Sequence, residues 1–117
     1  MKKLLIVDDE EDFLDLLNNF LKKKYYQIYA SRSGKKALEI FHQEKPNLIL
    51  LDIKMPDMDG FLVLEKIREV DQDIKIIVIT GMDDRESIDK AKRLGADGYI
   101  VKPFDLDTLA STIAASF

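Results

Sequence analysis

Cysteine is absent from the 117 residues, so the chain has neither a disulfide framework nor thiolate chemistry. A cysteine-free chain suits a reducing compartment, and the expected location is the cytoplasm. Long apolar runs are missing too, none approaching the roughly 18 residues that a membrane span needs. Met1-Lys2-Lys3 precedes only the short apolar run Leu4 to Val7, which is too brief for the core of a secretory signal. Positive charge is not in excess: 18 Lys and Arg stand against 22 Asp and Glu, a formal net charge of -4. That balance argues against direct nucleic-acid binding, whose affinity rests on basic side chains neutralising phosphates. The longest basic run, Lys22-Lys23-Lys24, closes a helical stretch, where positive charge complements the helix dipole, and it reads as a solvated helix end. Repeats, low-complexity tracts and linkers are also lacking. The length fits one domain over residues 1–117.

What is present is a regular alternation. Leu4 to Val7 reads as a strand, and Phe13, Leu14, Leu16, Leu17, Phe20 and Leu21 recur at helical spacing. Tyr25 to Ala30 reads as a second strand. Ser33 can cap a second helix with the apolar face Ala37, Leu38, Ile40 and Phe41. Leu48 to Leu51 is the third strand. Gly60 opens a third helix, with Phe61, Leu62, Leu64 and Ile67 expected to face inward. Ile76 to Ile79 lies in the fourth strand. Asp83 and Glu86 have the spacing of a capping box for the fourth helix, and Gly95 marks its end. Tyr99 to Val101 is the fifth strand, and Asp105 can cap a fifth helix through Leu106, Leu109 and Ile113. Five strand–helix pairs imply an α/β fold, a parallel sheet with helices on both faces. Strands one, three and four are unbroken apolar runs, as central strands should be. Strand two carries Gln27, and strand five is bounded by Asp97 and Gly98, so these read as edges. The order 2-1-3-4-5 satisfies both conditions. It is the doubly wound, flavodoxin-like arrangement of a five-stranded sheet with five helices.

Ligands of such sheets bind beyond the C-terminal strand ends, where the strand order reverses. Strand one ends there in Asp8-Asp9-Glu10, strand three in Asp52, strand four in Thr80-Gly81 and strand five in Lys102-Pro103. Two bare carboxylates about 4 Å apart repel by about 4 kcal/mol at an effective dielectric near 20, so the cluster calls for a cation. An all-oxygen site that retains waters suits Mg2+, with Mn2+ as the alternative ion. Asp8, Asp9 and Glu10 would also be favourable simply as acidic residues at a helix start. That bland reading does not cover Asp52, which follows four apolar residues and begins a loop. Acid, hydroxyl and amine together suit phosphoryl chemistry on a carboxylate: Asp52 as nucleophile, Asp9 and Asp52 with Asp8 holding the metal, Lys102 and Thr80 binding phosphoryl oxygens.

The motifs Leu5-Ile6-Val7-Asp8-Asp9-Glu10, Leu51-Asp52-Ile53-Lys54-Met55-Pro56-Asp57-Met58-Asp59-Gly60, Thr80-Gly81 and Lys102-Pro103-Phe104 resemble the receiver domain of two-component response regulators. The resemblance covers essentially the whole chain. It implies a phosphoacceptor signalling domain, not an enzyme, with Asp52 as acceptor, Asp8 and Asp9 as the acidic pocket, and the Lys54 backbone carbonyl completing the metal shell. It further implies Thr80 and Tyr99 as a switch pair, Lys102 as the site lysine, and a cis Lys102–Pro103 peptide, which sequence alone would give a prior of only about 5%. The implied partners are a sensor histidine kinase or a histidine phosphotransfer protein, and a downstream effector protein or an output domain on a longer chain. The surface of the fourth helix, fifth strand and fifth helix would change shape and is the expected dimerisation surface. No membrane partner is expected. Lys54 and Met82 flank the path of an attacking water, and Met82 cannot orient one, so a phosphoryl lifetime of minutes or longer is expected.

Rival readings are weaker. A phosphatase of the haloacid-dehalogenase type needs a second carboxylate where Lys54 stands. An FMN carrier needs a phosphate-binding loop, which Asp8-Asp9-Glu10 would repel. Asp57-Met58-Asp59-Gly60 lacks the alternating ligands and distal Glu of an EF-hand. A degenerate receiver serving only as a docking module is the alternative function, though Asp52, Thr80, Lys102 and the acidic pocket are all present. His42, the only histidine, lies at the polar end of the second helix and reads as a surface residue.

Overall fold

The computed structural model describes residues 1–117. Five parallel strands, β1 (Lys3–Val7), β2 (Gln27–Ser31), β3 (Leu48–Leu51), β4 (Lys75–Thr80) and β5 (Gly98–Val101), form one sheet in the order β2-β1-β3-β4-β5. Between and after them run α1 (Glu11–Lys22), α2 (Gly34–Glu44), α3 (Gly60–Val70), α4 (Arg85–Arg93) and α5 (Leu106–Ala115). The doubly wound, flavodoxin-like expectation holds, and its edge assignments hold with it. Every residue of β3 is buried, whereas β5 is only half-buried along its length and β2 is buried only at Ser31.

Alternation along the strands sorts the core into two layers. Leu4, Ile6, Leu48, Leu50, Ile77 and Ile79 point to one face and pack against Leu14, Leu17 and Leu21 of α1 and Leu109 and Ile113 of α5. Leu5, Val7, Ile49, Leu51 and Ile76 point to the other, against Ala37 and Phe41 of α2 and Val63, Leu64 and Ile67 of α3. A smaller group, Ile53, Val78 and Ala91, seats α4 on the same side as α2 and α3. The starts of α2 to α5 follow short polar side chains, each satisfying an otherwise orphaned amide, whereas α1 begins after Glu10 without a side-chain cap. Ser33 accepts from the Lys36 amide, Asp59 from Phe61, Asp84 from Ser87 and Asp105 from Asp107.

Four local expectations are corrected. Tyr25 and Tyr26 precede β2 instead of opening it: Tyr25 is 81% exposed, with a left-handed backbone (φ 67°) in the turn that leaves α1. In α3 the inward residue is Val63, fully buried, while Leu62 is 40% exposed. The cap of α4 is Asp84, not Asp83, because the amide that needs a partner is that of Ser87. Leu16 of α1, grouped by spacing with the core, is also an exposed side chain.

Candidate functional site

The ladder continues one step past the strands and delivers the polar residues to a common mouth. The Asp8 amide donates to the Ser31 carbonyl at 3.0 Å, Asp52 to Val7 at 2.9 Å and Lys102 to Thr80 at 2.8 Å. Two positions before Asp8, Asp52 and Lys102 stand Ile6, Leu50 and Ile100, all in the layer beneath α1 and α5. Two before Thr80 stands Val78, in the opposite layer. The pleat therefore aims the two acids and the amine at one another and the threonine toward α4.

Asp8 is 1% exposed and Asp52 6%. The Lys102 ammonium donates to Asp8 Oδ2 at 2.6 Å and to Asp52 Oδ2 at 3.4 Å. The remaining oxygens are held by local turns, Asp8 Oδ1 by the Glu10 amide at 2.9 Å and Asp52 Oδ1 by the Lys54 amide at 3.0 Å. Asp9 is half-buried, and its backbone carbonyl takes Arg32 Nε and Nη2, each at 3.2 Å. One carboxylate oxygen from each of Asp8, Asp9 and Asp52 falls within 4.8 Å of the others. Burial pushes the Asp8 carboxyl above its ordinary pKa, ahead of the opposing hydrogen bond from Lys102. Burial would also pull Lys102 down, but the hydrogen bond and charge of Asp8, then the charge of Asp52, outweigh it and hold the amine above its usual value. The lysine's direction is the one fixed by geometry: an amine 2.6 Å from one carboxylate, with a second beside it, keeps its proton.

The carboxylates open into a cavity of about 410 Å3 lined by Asp9, Glu10, Asp52, Lys54, Thr80, Gly81, Met82 and Lys102. Thr80 is buried and its Oγ1 accepts from the Met82 amide at 3.4 Å. The Met82 carbonyl in turn accepts from the Tyr99 hydroxyl at 2.7 Å. Met82 thus links the two residues expected to form the switch pair. Lys54 and Met82, expected on either side of a water path, both line the cavity with Asp52. The Lys102–Pro103 peptide is cis. His42 is exposed on α2, away from this mouth.

Gly60 sets how closely α3 approaches the acceptor strand. A Cβ there would lie 2.2 Å from Ile53 Cα and 2.7 Å from the Asp52 carbonyl oxygen, so only glycine lets α3 begin against the backbone of Asp52 and Ile53. The Gly60 amide uses that approach to donate to the Ile53 carbonyl at 3.0 Å. Asp57 ties the same loop to α2, its carboxylate accepting from the Gly34 amide at 3.1 Å and the Lys35 amide at 3.3 Å. Sequence reasoning missed Asp57 because its partners lie 23 and 22 residues away.

The model of the response regulator receiver domain family matches residues 4–114. The chain belongs to that family. Among relatives, sporulation initiation phosphotransferase F of Bacillus subtilis (strain 168) is 38% identical over 112 residues, which are 96% of this receiver domain and 90% of that protein. A probable transcriptional regulator, ycf27 of Guillardia theta, is 40% identical over 114 residues, but the receiver domain spans only 44% of its length. Among solved structures, the response regulator TrrA of Thermotoga maritima in complex with Mg2+ and BeF is 35% identical, with each chain fully covered and a TM-score of 0.91. The protein is therefore a two-component receiver, a signalling domain, and no helix in it is long and apolar enough to cross a membrane.

Proposed function

We propose that this receiver accepts a phosphoryl group on Asp52 in a Mg2+-dependent reaction, from a histidine kinase or a histidine phosphotransfer protein. The observation that carries the reading is the Asp52 carboxylate itself, buried at the floor of the cavity between a protonated lysine and two further acids. The donor set suits the ion: three carboxylates gathered within 4.8 Å carry more negative charge than Lys102 alone offsets, and all the donors are oxygens. Asp8, Asp9, Asp52 and the Lys54 carbonyl would hold Mg2+, with Mn2+ as a substitute. When bound, the ion neutralises charge on the phosphoryl oxygens.

In the transfer, an Asp52 oxygen forms a bond to phosphorus while the phosphorus–nitrogen bond of a phosphohistidine breaks and the imidazole leaves with the bond's electron pair. Lys102, already between Asp8 and Asp52, moves one hydrogen bond onto a phosphoryl oxygen. The Thr80 hydroxyl turns toward another and gives up its contact with the Met82 amide. Because Tyr99 is bonded to the carbonyl of the same Met82, that turn reaches the surface of α4, β5 and α5 by way of two hydrogen bonds. The new charge of about −1.5 to −2 shifts the balance between two existing states and builds no new fold. That surface is where a downstream effector, an output domain or a second copy would sense the change. The test is incubation with acetyl phosphate and Mg2+ followed by intact-mass measurement. One added phosphate is expected, absent in Asp52→Asn. A wild-type protein that never gains it refutes the proposal.

A further inference from the structure

The Lys102 ammonium is enclosed on three sides. Asp8 and Asp52 take two of its hydrogen-bond directions, and the face of the Phe13 ring forms a third wall, with its centroid 4.1 Å from Nζ. The other three lysine–aromatic contacts in the protein are longer, at 4.5 Å for Lys90 on Phe61, 5.2 Å for Lys2 on Phe117 and 5.4 Å for Lys24 on Phe20. Lys102 has a side chain only 19% exposed, so its contact is poorly screened by water. The Phe13 ring is itself fixed: Phe104, two residues beyond Lys102, meets it edge-to-face at 6.0 Å and 88°. Helical spacing alone had grouped Phe13 with the core, yet it is only half-buried.

The geometry points to Phe13 as a positioning residue for phosphoryl transfer: its ring face holds the Lys102 ammonium beside Asp52 while leaving its hydrogen bonds free to be exchanged. An ammonium has three donors and no acceptor. A third carboxylate or carbonyl in Phe13's place would consume a donor in a fixed direction. A ring face attracts the whole cation through its quadrupole and tolerates rotation about the Cε–Nζ bond. As a phosphoryl group arrives, Lys102 must keep Asp8 and move its other hydrogen bond from Asp52 to the incoming oxygen. The aromatic wall lets the charge pivot in place and blocks the side on which water would draw it outward. Phe104 keeps the Phe13 ring turned face-on during that exchange.

This role rests on the reading of Asp52 as phosphoacceptor, and the experiment separates the two. Phe13→Leu keeps an apolar helix-forming residue and removes the quadrupole; Phe13→Trp restores it. In the wild type, the Lys102 Hε protons should show ring-current upfield shifts in the NMR spectrum. These should vanish in Phe13→Leu and return in Phe13→Trp, with thermal melting confirming that all three proteins fold. Phosphorylation by acetyl phosphate, followed by intact mass, should be about two- to thirty-fold slower in Phe13→Leu, the range of a cation–π contact read as a rate, and should recover in Phe13→Trp. Equal rates in wild type and Phe13→Leu, an unshifted Lys102 in the wild type, or failure of Phe13→Trp to recover the rate would each overturn the role of Phe13 alone. A wild type that takes no phosphate at Asp52 overturns the acceptor reading and this role with it.

Discussion

Replacing Asp9 by asparagine should change the stability of this receiver in opposite directions with and without Mg2+. The carboxylate oxygens of Asp8, Asp9 and Asp52 lie within 4.8 Å of one another, and Lys102 pairs with Asp8 and Asp52. Even at the outer limit of that spacing, 4.8 Å, a like-charged pair costs about 3.5 kcal/mol with an effective dielectric near 20. Asp9 is half-buried, so water screens its share to about 1 kcal/mol. Metal-free Asp9→Asn should therefore be more stable than wild type by about that amount. An unfolding entropy of about 2.1 cal/mol/K per residue over 117 residues makes 1 kcal/mol worth about 4 °C in Tm. Mg2+ at a hundredfold excess over its Kd adds about 2.7 kcal/mol to the wild type, a rise of about 11 °C on the same scale. The variant, having lost a ligand, should gain only a small part of that rise at the same concentration, so the order of the two melting temperatures reverses. Scanning calorimetry of both proteins, in chelator and across a Mg2+ titration, measures all four values. A wild type indifferent to Mg2+, or a variant less stable than wild type in chelator, would refute the reasoning that these three carboxylates form a strained site relieved by a cation.

Gly60→Ala should lower the urea midpoint by the equivalent of about 1–3 kcal/mol, because its Cβ would meet Ile53 Cα at 2.2 Å and the backbone must move apart; an unchanged midpoint would show that the α3 start yields without cost. Asp57→Ala should cost about 1 kcal/mol in denaturant unfolding, as loss of a cap does. The Gly34 amide first, against a burial effect, and then the Lys35 amide hold the Asp57 carboxyl below its ordinary pKa, so its stabilisation is complete above about pH 4 and fades as pH falls through the folded value. The wild type and Asp57→Asn should accordingly converge in stability in strong acid, and a gap that persists there would count against the pairing. The aspartyl phosphate should survive for minutes or longer, and Met82→Gln, which supplies a group able to orient water beside Asp52, should shorten that lifetime in a mass-based decay assay. Loss within seconds in the wild type would contradict the reading that Met82 leaves the attacking water unoriented.

The sheet was legible in the sequence because strands buried on both faces must be apolar throughout, and Leu48 to Leu51 admits no other reading. The edges were legible from Gln27 and from Asp97-Gly98 for the same reason. The gathering of Asp8, Asp52 and Lys102 at one mouth followed from strand order alone. Helix faces were less legible: Leu62 and Val63 are equally apolar, and only the crossing of α3 over the sheet buries one and exposes the other. Tyr25 has strong strand preference, but α1 needs a left-handed residue to reverse the chain, and that requirement overrode propensity. Asp83 and Asp84 compete for one amide, and loop geometry decides between them. Asp57 and Phe13 were invisible as functional neighbours because their partners are remote in sequence and local patterns carry no trace of them.

The same division explains how a small domain tolerates so costly a site. The two eleven-residue apolar clusters lie on the two faces of the sheet, while Asp8, Asp52 and Lys102 sit one residue past the ends of β1, β3 and β5, each still hydrogen-bonded to a neighbouring strand. Asp8 and Asp52 are buried, yet each is tied by an amide two residues on and by one shared lysine. Repulsion at the mouth is therefore borne by a network that rests on the core without interrupting it. A change of charge at Asp52 can then rearrange Lys102, Thr80, Met82 and Tyr99 while the strands beneath keep their register, because none of these four side chains belongs to either large cluster.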